Sequence, residues 1–285
     1  MTDLLIHSMT EFSELILDCL NMAGARDIAE VGAEFGGMSQ LLAAYARATG
    51  GSLTSIDPAP KQLFLDWAEA TPEVRHIAKP SLEAMPELAN IDAWMLDGDH
   101  NYYTVLHELK LADRLSKRDG KPLLAFLHDV SWPCGRRDFY YAPDRIPAEH
   151  RHPYSWEAGI SLDDNGVLPP GRGFRGAGQF AVALHAGGPR NGVMTAVEDF
   201  ITEARSEQRP LAFGHIPAVF GLGILFDASA PWAQGIAERI HPLHNNELIA
   251  TLEENRLRNY LAVIDWQDRA AAEKAAEQAP QPAVA

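Results

Sequence analysis

The segment from Ile28 to Met38, IAEVGAEFGGM, constrains this chain more than any other, because an apolar run holding one acid passes through glycines into an apolar-periodic stretch. Ile28 to Val31 has the composition of a buried strand. Gly32 frees the backbone for a tight turn, and Gly36 and Gly37 let a helix begin close to a ligand. Leu41, Leu42 and Tyr45 follow at helical spacing. Strand, glycine turn and helix in that order form either the cofactor loop of an α/β sheet or a merely structural turn. A pyrophosphate loop has the spacing G-x-G-x-x-G so that backbone amides approach phosphate. Here the anionic Glu34 stands two residues after Gly32. That argues against a dinucleotide and for a cofactor without phosphates and with a positive centre.

Around this loop the chain alternates helices and strands. Phe12, Leu15, Ile16 and Cys19 predict a packing helix that stops at Gly24. Gly51 to Pro58 is a second strand ending on Asp57, where an acid can accept hydrogen bonds from ribose hydroxyls, although Asp-Pro is also a turn former. Val74 to Ala78 is a third strand, followed by Pro80-Ser-Leu-Glu83, in which Ser81 also suits the N-cap of a short helix. A fourth strand from Ile91 ends in Asp97-Gly-Asp-His100, three ionisable side chains within four residues, and a helix from about Tyr103 to Leu115 follows. A fifth, Leu123 to Leu127, ends in His128-Asp129. If these two strands are neighbours, roughly 4.8 Å apart, Asp97 and Asp129 can point at one ion. Hard oxygen ligands suit Mg²⁺, with His128 as a further ligand or a supporting group. Gly192 to Ile201 is an amphipathic helix, and Leu211 to Ile216 and Leu222 to Phe226 read as an antiparallel pair at one sheet edge. The expected fold is therefore α/β: a Rossmann-like, seven-stranded, mostly parallel sheet flanked by helices, with a long insertion after the fifth strand.

That insertion, residues 131–189, is too long for an ordinary connection. It mixes aromatic residues (Trp132, Phe139, Tyr140, Tyr141, Phe174, Phe180) with arginines (Arg136, Arg137, Arg172, Arg175), a composition that suits a lid over a polyhydroxylated substrate or a subunit interface. Helical patterns follow at about Trp232 to Ile240 and Asn246 to Trp266, and from Ala270 the Ala, Glu, Gln and Pro tract is expected to be a frayed helix or disordered. Domain limits are set at 1–266, with 267–285 as a low-complexity tail.

The chain has 285 residues, 46% of them apolar, and a formal net charge of −15. That charge repels nucleic-acid phosphates and anionic membrane surfaces. No apolar stretch is long enough for a bilayer span, and the first 20 residues are interrupted by Asp3, His7, Glu11, Glu14 and Asp18, unlike a signal peptide. Cys19 and Cys134 form no metal-like cluster in the sequence and read as reduced thiols of a cytoplasmic protein.

Glu30, Gly32 and Gly36, as E-x-G-x-x-x-G, resemble motif I of the class I methyltransferases that use S-adenosyl-L-methionine (AdoMet). Asp97-Gly-Asp-His100-x-Tyr102 resembles the fourth-strand motif of the small-molecule O-methyltransferases related to the macrolide-sugar and cephalosporin-tailoring enzymes. The resemblance spans roughly Ile28 to Phe226. It implies AdoMet lying over the first strands, approached closely at Gly32, Gly36 and Gly37, with Glu30 supporting the loop or the methionine end. It also implies Asp57 on the ribose, Ser81 and Leu82 beside the adenine, and Asp97 at the junction of cofactor and metal. Mg²⁺ would sit at Asp97, Asp129 and His128. His100 would be the general base, neutral at an ordinary pKa of about 6.5, with Asp99 as runner-up. The acceptor would be a small hydroxylated molecule, first a saccharide or glycosylated natural product and otherwise a phenol, and the insertion and C-terminal helices offer surface for a homo-oligomer. Three rivals share the fold: a metal-independent methyltransferase, an NAD-type oxidoreductase, and a non-catalytic interaction module.

Overall fold

The computed structural model describes residues 8–278. After a short 3₁₀ turn, α1 (Ser13–Ala23) packs ahead of β1 (Asp27–Val31), and Gly24 closes the helix in the left-handed conformation, φ 61°, with its N–H on the carbonyls of Leu20 and Asn21. There follow α2 (Gly37–Thr49), β2 (Ser52–Ile56), α3 (Gln62–Glu69), β3 (Val74–Ile77), the single-turn α4 (Ser81–Ala84), β4 (Ala93–Leu96), α5 (Tyr102–Arg118) and β5 (Leu124–His128). The insertion carries β6 (Phe139–Tyr140), β7 (Tyr154–Ser155) and β8 (Ala181–Ala183), and the chain closes with α6 (Val193–Ser206), β9 (Leu211–Ile216), β10 (Leu222–Asp227), α7 (Ala233–Ile240) and α8 (Glu247–Gln278).

The main sheet has the order β3-β2-β1-β4-β5-β10-β9. Its first five strands are parallel, and β10 runs antiparallel to both β5 and β9, as expected of the final pair. Because the order reverses between β1 and β4, the loops leaving those two strands diverge to opposite sides and open a crevice at their C-terminal ends. Strands buried on both faces explain the near-continuous apolar runs read in the sequence. One face packs α4, α5 and α6 around Trp94, Leu96, Leu109 and Phe200. The other packs α1, α2 and α7 around Ile16, Leu42, Phe126 and Ile236.

Several elements outrun their sequence limits. β5 takes in His128, α5 extends to Arg118 and α6 to Ser206. The last helix, expected to end near Trp266, continues to Gln278, so the Ala, Glu and Gln tract from Ala270 is helical that far. Alanine, glutamate, lysine and glutamine are strong helix formers and outweigh the low sequence complexity. The part of the tail after residue 278 lies outside the described residues. Among the described residues, no helix is long and apolar enough to cross a membrane.

The insertion is ordered around its own small sheet, β6-β8-β7, with β8 central. Its aromatic residues mostly face each other: Phe139 stacks on Phe180 with centroids 5.0 Å apart, and Trp132 meets Phe174 edge-on at 5.5 Å. Its arginines are mostly tied up within the fold. Arg137 is buried and donates to the carbonyls of Ala183, Asn165 and Gly166, Arg136 pairs with Glu198 of α6, and Arg172 and Arg175 pair with Asp265 and Asp268 of α8.

Candidate functional site

The glycine loop lies at the crevice, and its glycines answer first to the protein itself. A Cβ on Gly32, whose φ is +89°, would sit 2.2 Å from the backbone oxygen of Asp97, so only glycine lets the β1 loop pass this close to the β4 loop. Gly36, at φ +82°, leads into α2 and would meet Phe64 at 2.9 Å; at Gly37 the nearest atom, 3.1 Å away, is Oγ1 of Thr10. Glu30 is buried at 2% exposure beneath the loop, where Ser39 and Ser55 donate to its Oε2 at 2.6 and 2.7 Å. It is thus a support that joins β1, β2 and the start of α2. Burial, only partly offset by the two hydroxyls, raises its pKa to about 7.

Asp57 ends β2 with Oδ2 accepting from the amides of Ala33 and Glu34 and Oδ1 from that of Ala59. Three of its roughly four acceptor positions are used, so it clamps the loop and keeps one direction for a ligand. Ser81 differs from expectation. Pro80, not Ser81, is the N-cap of α4; Ser81 is buried and its hydroxyl bonds Glu108 of α5 rather than facing the crevice, and Leu82 beside it is half-buried.

Adjacent pairing of β4 and β5, with Leu96 opposite Leu127, brings the two ionisable clusters together. His100 Nε2 lies 3.0 Å from Asp129 Oδ2 and 3.4 Å from Asp97 Oδ1, and His128 Nδ1 lies 3.3 Å from Asp97 Oδ1 and 3.4 Å from Asp129 Oδ2. His128 and Asp129 are buried; Asp97 keeps 26% of its side chain open. Asp129 adopts the left-handed conformation, φ 58°, which turns its carboxylate back across the strand end. Asp99 accepts from Thr104 Oγ1 and the His100 amide and sits beside the start of α5, where burial raises its pKa. The Tyr102 hydroxyl donates to Asp199 of α6, so that member of the motif braces the helix.

Burial disfavours charge on His100, but the Asp129 and Asp97 carboxylates outweigh it and hold its pKa well above the ordinary value. The same balance raises that of His128, and the carboxyl of Asp129 is driven far down. The ordinary value of about 6.5 expected for His100 is therefore shifted upward by the two carboxylates beside it.

Two residues named in the sequence, Cys134 and Tyr141, stand at the cluster without having been assigned to it. Cys134 Sγ, with the donor atoms of His100 and Asp129, forms a group within 4.8 Å of one another, so Cys134, though not Cys19, stands in a cluster that the sequence spacing did not show. The chain doubles back after β5, with Gly135 N–H on Ser131 O, and that local path was not encoded in any spacing. Tyr141, exposed, stands edge-on to the His100 ring with centroids 5.8 Å apart. The Phe139 amide donates to the His100 carbonyl, so the insertion is bonded to the site directly.

A cavity of about 550 Å³ begins where the chain leaves Asp129, lined by Val130, Ser131, Trp132, Arg136, Asp164 and His215 among others. Ser131 Oγ is 2.8 Å from His215 Nε2, and His215 Nδ1 is 2.8 Å from Asn245 Oδ1, which ties the start of the insertion to β9 and to the turn before α8.

Residues 29–130 match the family model described as a methyltransferase domain. No curated protein matches the chain. Among solved structures it is similar to the O-methyltransferase TomG from Streptomyces achromogenes in complex with SAM, at 17% identity and a TM-score of 0.45 over 80% of this chain and 83% of that one. It is similar also to the O-methyltransferase from Bacillus cereus in complex with SAH, at 15% and 0.43 over 79% and 84%. The SAH-bound methyltransferase PaMTH1 of Podospora anserina gives 11% and 0.43 over 75% and 76%. The sheet order gives the chain a Rossmann-like fold, and the methyltransferase-domain match over residues 29–130 takes in the glycine loop and the ends of β4 and β5.

Proposed function

We propose that this enzyme methylates a hydroxyl of a small molecule, a saccharide or a glycosylated natural product, with residues 1–266 acting as one domain and 131–189 as its acceptor-side insertion. The observation that carries the reading is the meeting of Asp97, His100, His128 and Asp129 at the mouth of β4 and β5, beside the β1 loop. AdoMet would lie over Gly32, Gly36 and Gly37, its ribose on the free side of Asp57 and its adenine against Leu82, with Ser81 shaping the wall from behind. Methyl transfer from a sulfonium is an in-line displacement, so the protein must align the acceptor oxygen and take its proton.

His100 is the base in this proposal. Asp129 holds Nε2, which fixes the ring, and Asp99 anchors the residue through its backbone amide; Asp99 is the second choice for the proton. The side chains of Asp97, Asp129 and His128 fit a divalent cation, since their donor atoms lie within 4.8 Å of one another. Such an ion would lower the pKa of a bound hydroxyl and offset the carboxylates' hold on the His100 proton. Tyr141 and the cavity after Asp129 offer an aromatic edge and polar groups of the kind that suit a sugar ring.

The test is isothermal titration with AdoMet alongside turnover. His100→Ala is expected to lower turnover at least about a hundredfold while AdoMet affinity stays within a few-fold of the parent. Loss of AdoMet binding in that variant would remove the base assignment, and no binding by the parent would remove the reading altogether.

A further inference from the structure

We infer that His128 is a metal ligand through Nδ1 and that, with Asp97 and Asp129, it builds a site that selects a first-row transition-metal dication over Mg²⁺. The inference rests on the proposed cation site between β4 and β5 and assigns the class of ion it takes.

The tautomer of His128 is set from behind. Its Nε2 is 2.9 Å from the carbonyl oxygen of Val219, which can only accept, so the proton of the neutral ring resides on Nε2. Nδ1 then presents its lone pair between the two carboxylates, 3.3 Å from Asp97 Oδ1 and 3.4 Å from Asp129 Oδ2. Two carboxylate oxygens and a nitrogen lone pair converging on one point call for a positive charge between them, either a proton on Nδ1 or a metal ion. A backbone carbonyl holding the far N–H of an imidazole is the support that metal-binding histidines have.

That support is built, not incidental. Val219 and Phe220 both hold positive φ, 47° and 65°, in the turn between β9 and β10, a conformation non-glycine residues adopt only when their surroundings impose it. The turn is fastened by the Ser131 amide on the Phe220 carbonyl and by the Phe220 amide on Glu253 of α8. Gly221, at φ +93°, packs against Ser131, where a Cβ would lie 2.4 Å from its Oγ.

Spacing and chemistry then select the ion. Ligand atoms about 2.1 Å from a common ion are separated by roughly 3.0 Å in octahedral and 3.4 Å in tetrahedral arrangement. The two edges that meet at His128 fall within that range. Ca²⁺, at about 2.3–2.6 Å from its ligands, would also span such edges, but it takes six to eight oxygens and does not favour an imidazole nitrogen. Mg²⁺ has the right size but binds oxygen and gives up water reluctantly, whereas an imidazole nitrogen favours Fe²⁺, Co²⁺, Ni²⁺ or Zn²⁺.

The experiment titrates Co²⁺, Zn²⁺ and Mg²⁺ into the chelator-stripped full chain, reading the visible absorption of Co²⁺ and the heat of binding. One equivalent of Co²⁺ is expected to bind, to be displaced by one equivalent of Zn²⁺, and to survive a roughly hundredfold excess of Mg²⁺. His128→Ala should weaken Co²⁺ and Zn²⁺ at least about tenfold, and His128→Asp should shift the preference toward Mg²⁺. Displacement of Co²⁺ by equimolar Mg²⁺, unchanged Zn²⁺ affinity in His128→Ala, or the absence of any bound ion would each overturn the inference, the last leaving a site that holds only protons. AdoMet titration of each protein without metal reports folding and keeps the two proposals apart: a parent that binds AdoMet but prefers Mg²⁺ refutes this one alone.

Discussion

At the scale of single residues, the groups under the glycine loop explain why the loop tolerates so little change. Glu30 has a pKa of about 7 in the fold against an ordinary 4.5, because burial raises it more than Ser39 and Ser55 lower it. A carboxyl raised in this way lends its full contribution below about pH 4.5 and loses it as pH climbs through about 7, a span worth about 3 kcal/mol. Urea midpoints at pH 5 and pH 8 should therefore fall by less in Glu30→Gln than in the parent; equal falls would mean that Glu30 does not carry the slope. Gly32→Ala places a methyl on the Asp97 carbonyl at a backbone angle alanine avoids, and is expected to cost at least about 3 kcal/mol in the same measurement. Glycine and acid were both legible in the sequence. That Gly32 is constrained by β4, and not only by a cofactor, was not, because the contact joins residues 65 apart in the chain.

Among the elements, the parallel strands were readable as apolar runs because both their faces are buried, and the convergence of Asp97 and Asp129 followed once β4 and β5 were taken as neighbours. The insertion gave less. Its strands are two or three residues long, too short to show a period, and its arginines suggested a substrate while most of them in fact stitch the segment to itself, to α6 and to α8. Cys134 and the Val219 carbonyl stayed hidden for a related reason: both reach the cluster through turns whose path is set by tertiary bonds. Arg137 is the strongest of the stitches, and burial lowers its pKa to about 10 without freeing it of charge at neutral pH. Arg137→Ala would strip donors from three carbonyls and is expected to destabilise the insertion by about 3 kcal/mol or more. Limited proteolysis should then cut within residues 154–180 before the main sheet opens; a parent-like pattern would mean that the aromatic cluster alone holds the segment.

For the molecule as a whole, cofactor choice follows from charge as much as from shape. The net charge is −15, and Asp57 and the part-open Asp97 border the crevice where β2 and β4 end. Such a field favours a ligand with a sulfonium and an ammonium over one with a pyrophosphate, and Glu34 at φ 46° holds the loop in a form that leaves no glycine at the phosphate position. A ligand that binds only the folded chain stabilises it by about 2.7 kcal/mol when present at one hundred times its dissociation constant. For a domain of this size that is a rise in melting temperature of about 5 °C. AdoMet should produce such a rise and NAD none, with the AdoMet effect shrinking as salt screens the acids. Equal stabilisation by NAD would mean that backbone amides, not the acidic crevice, dominate the site, and would reopen the choice of cofactor that Glu34 argues is closed.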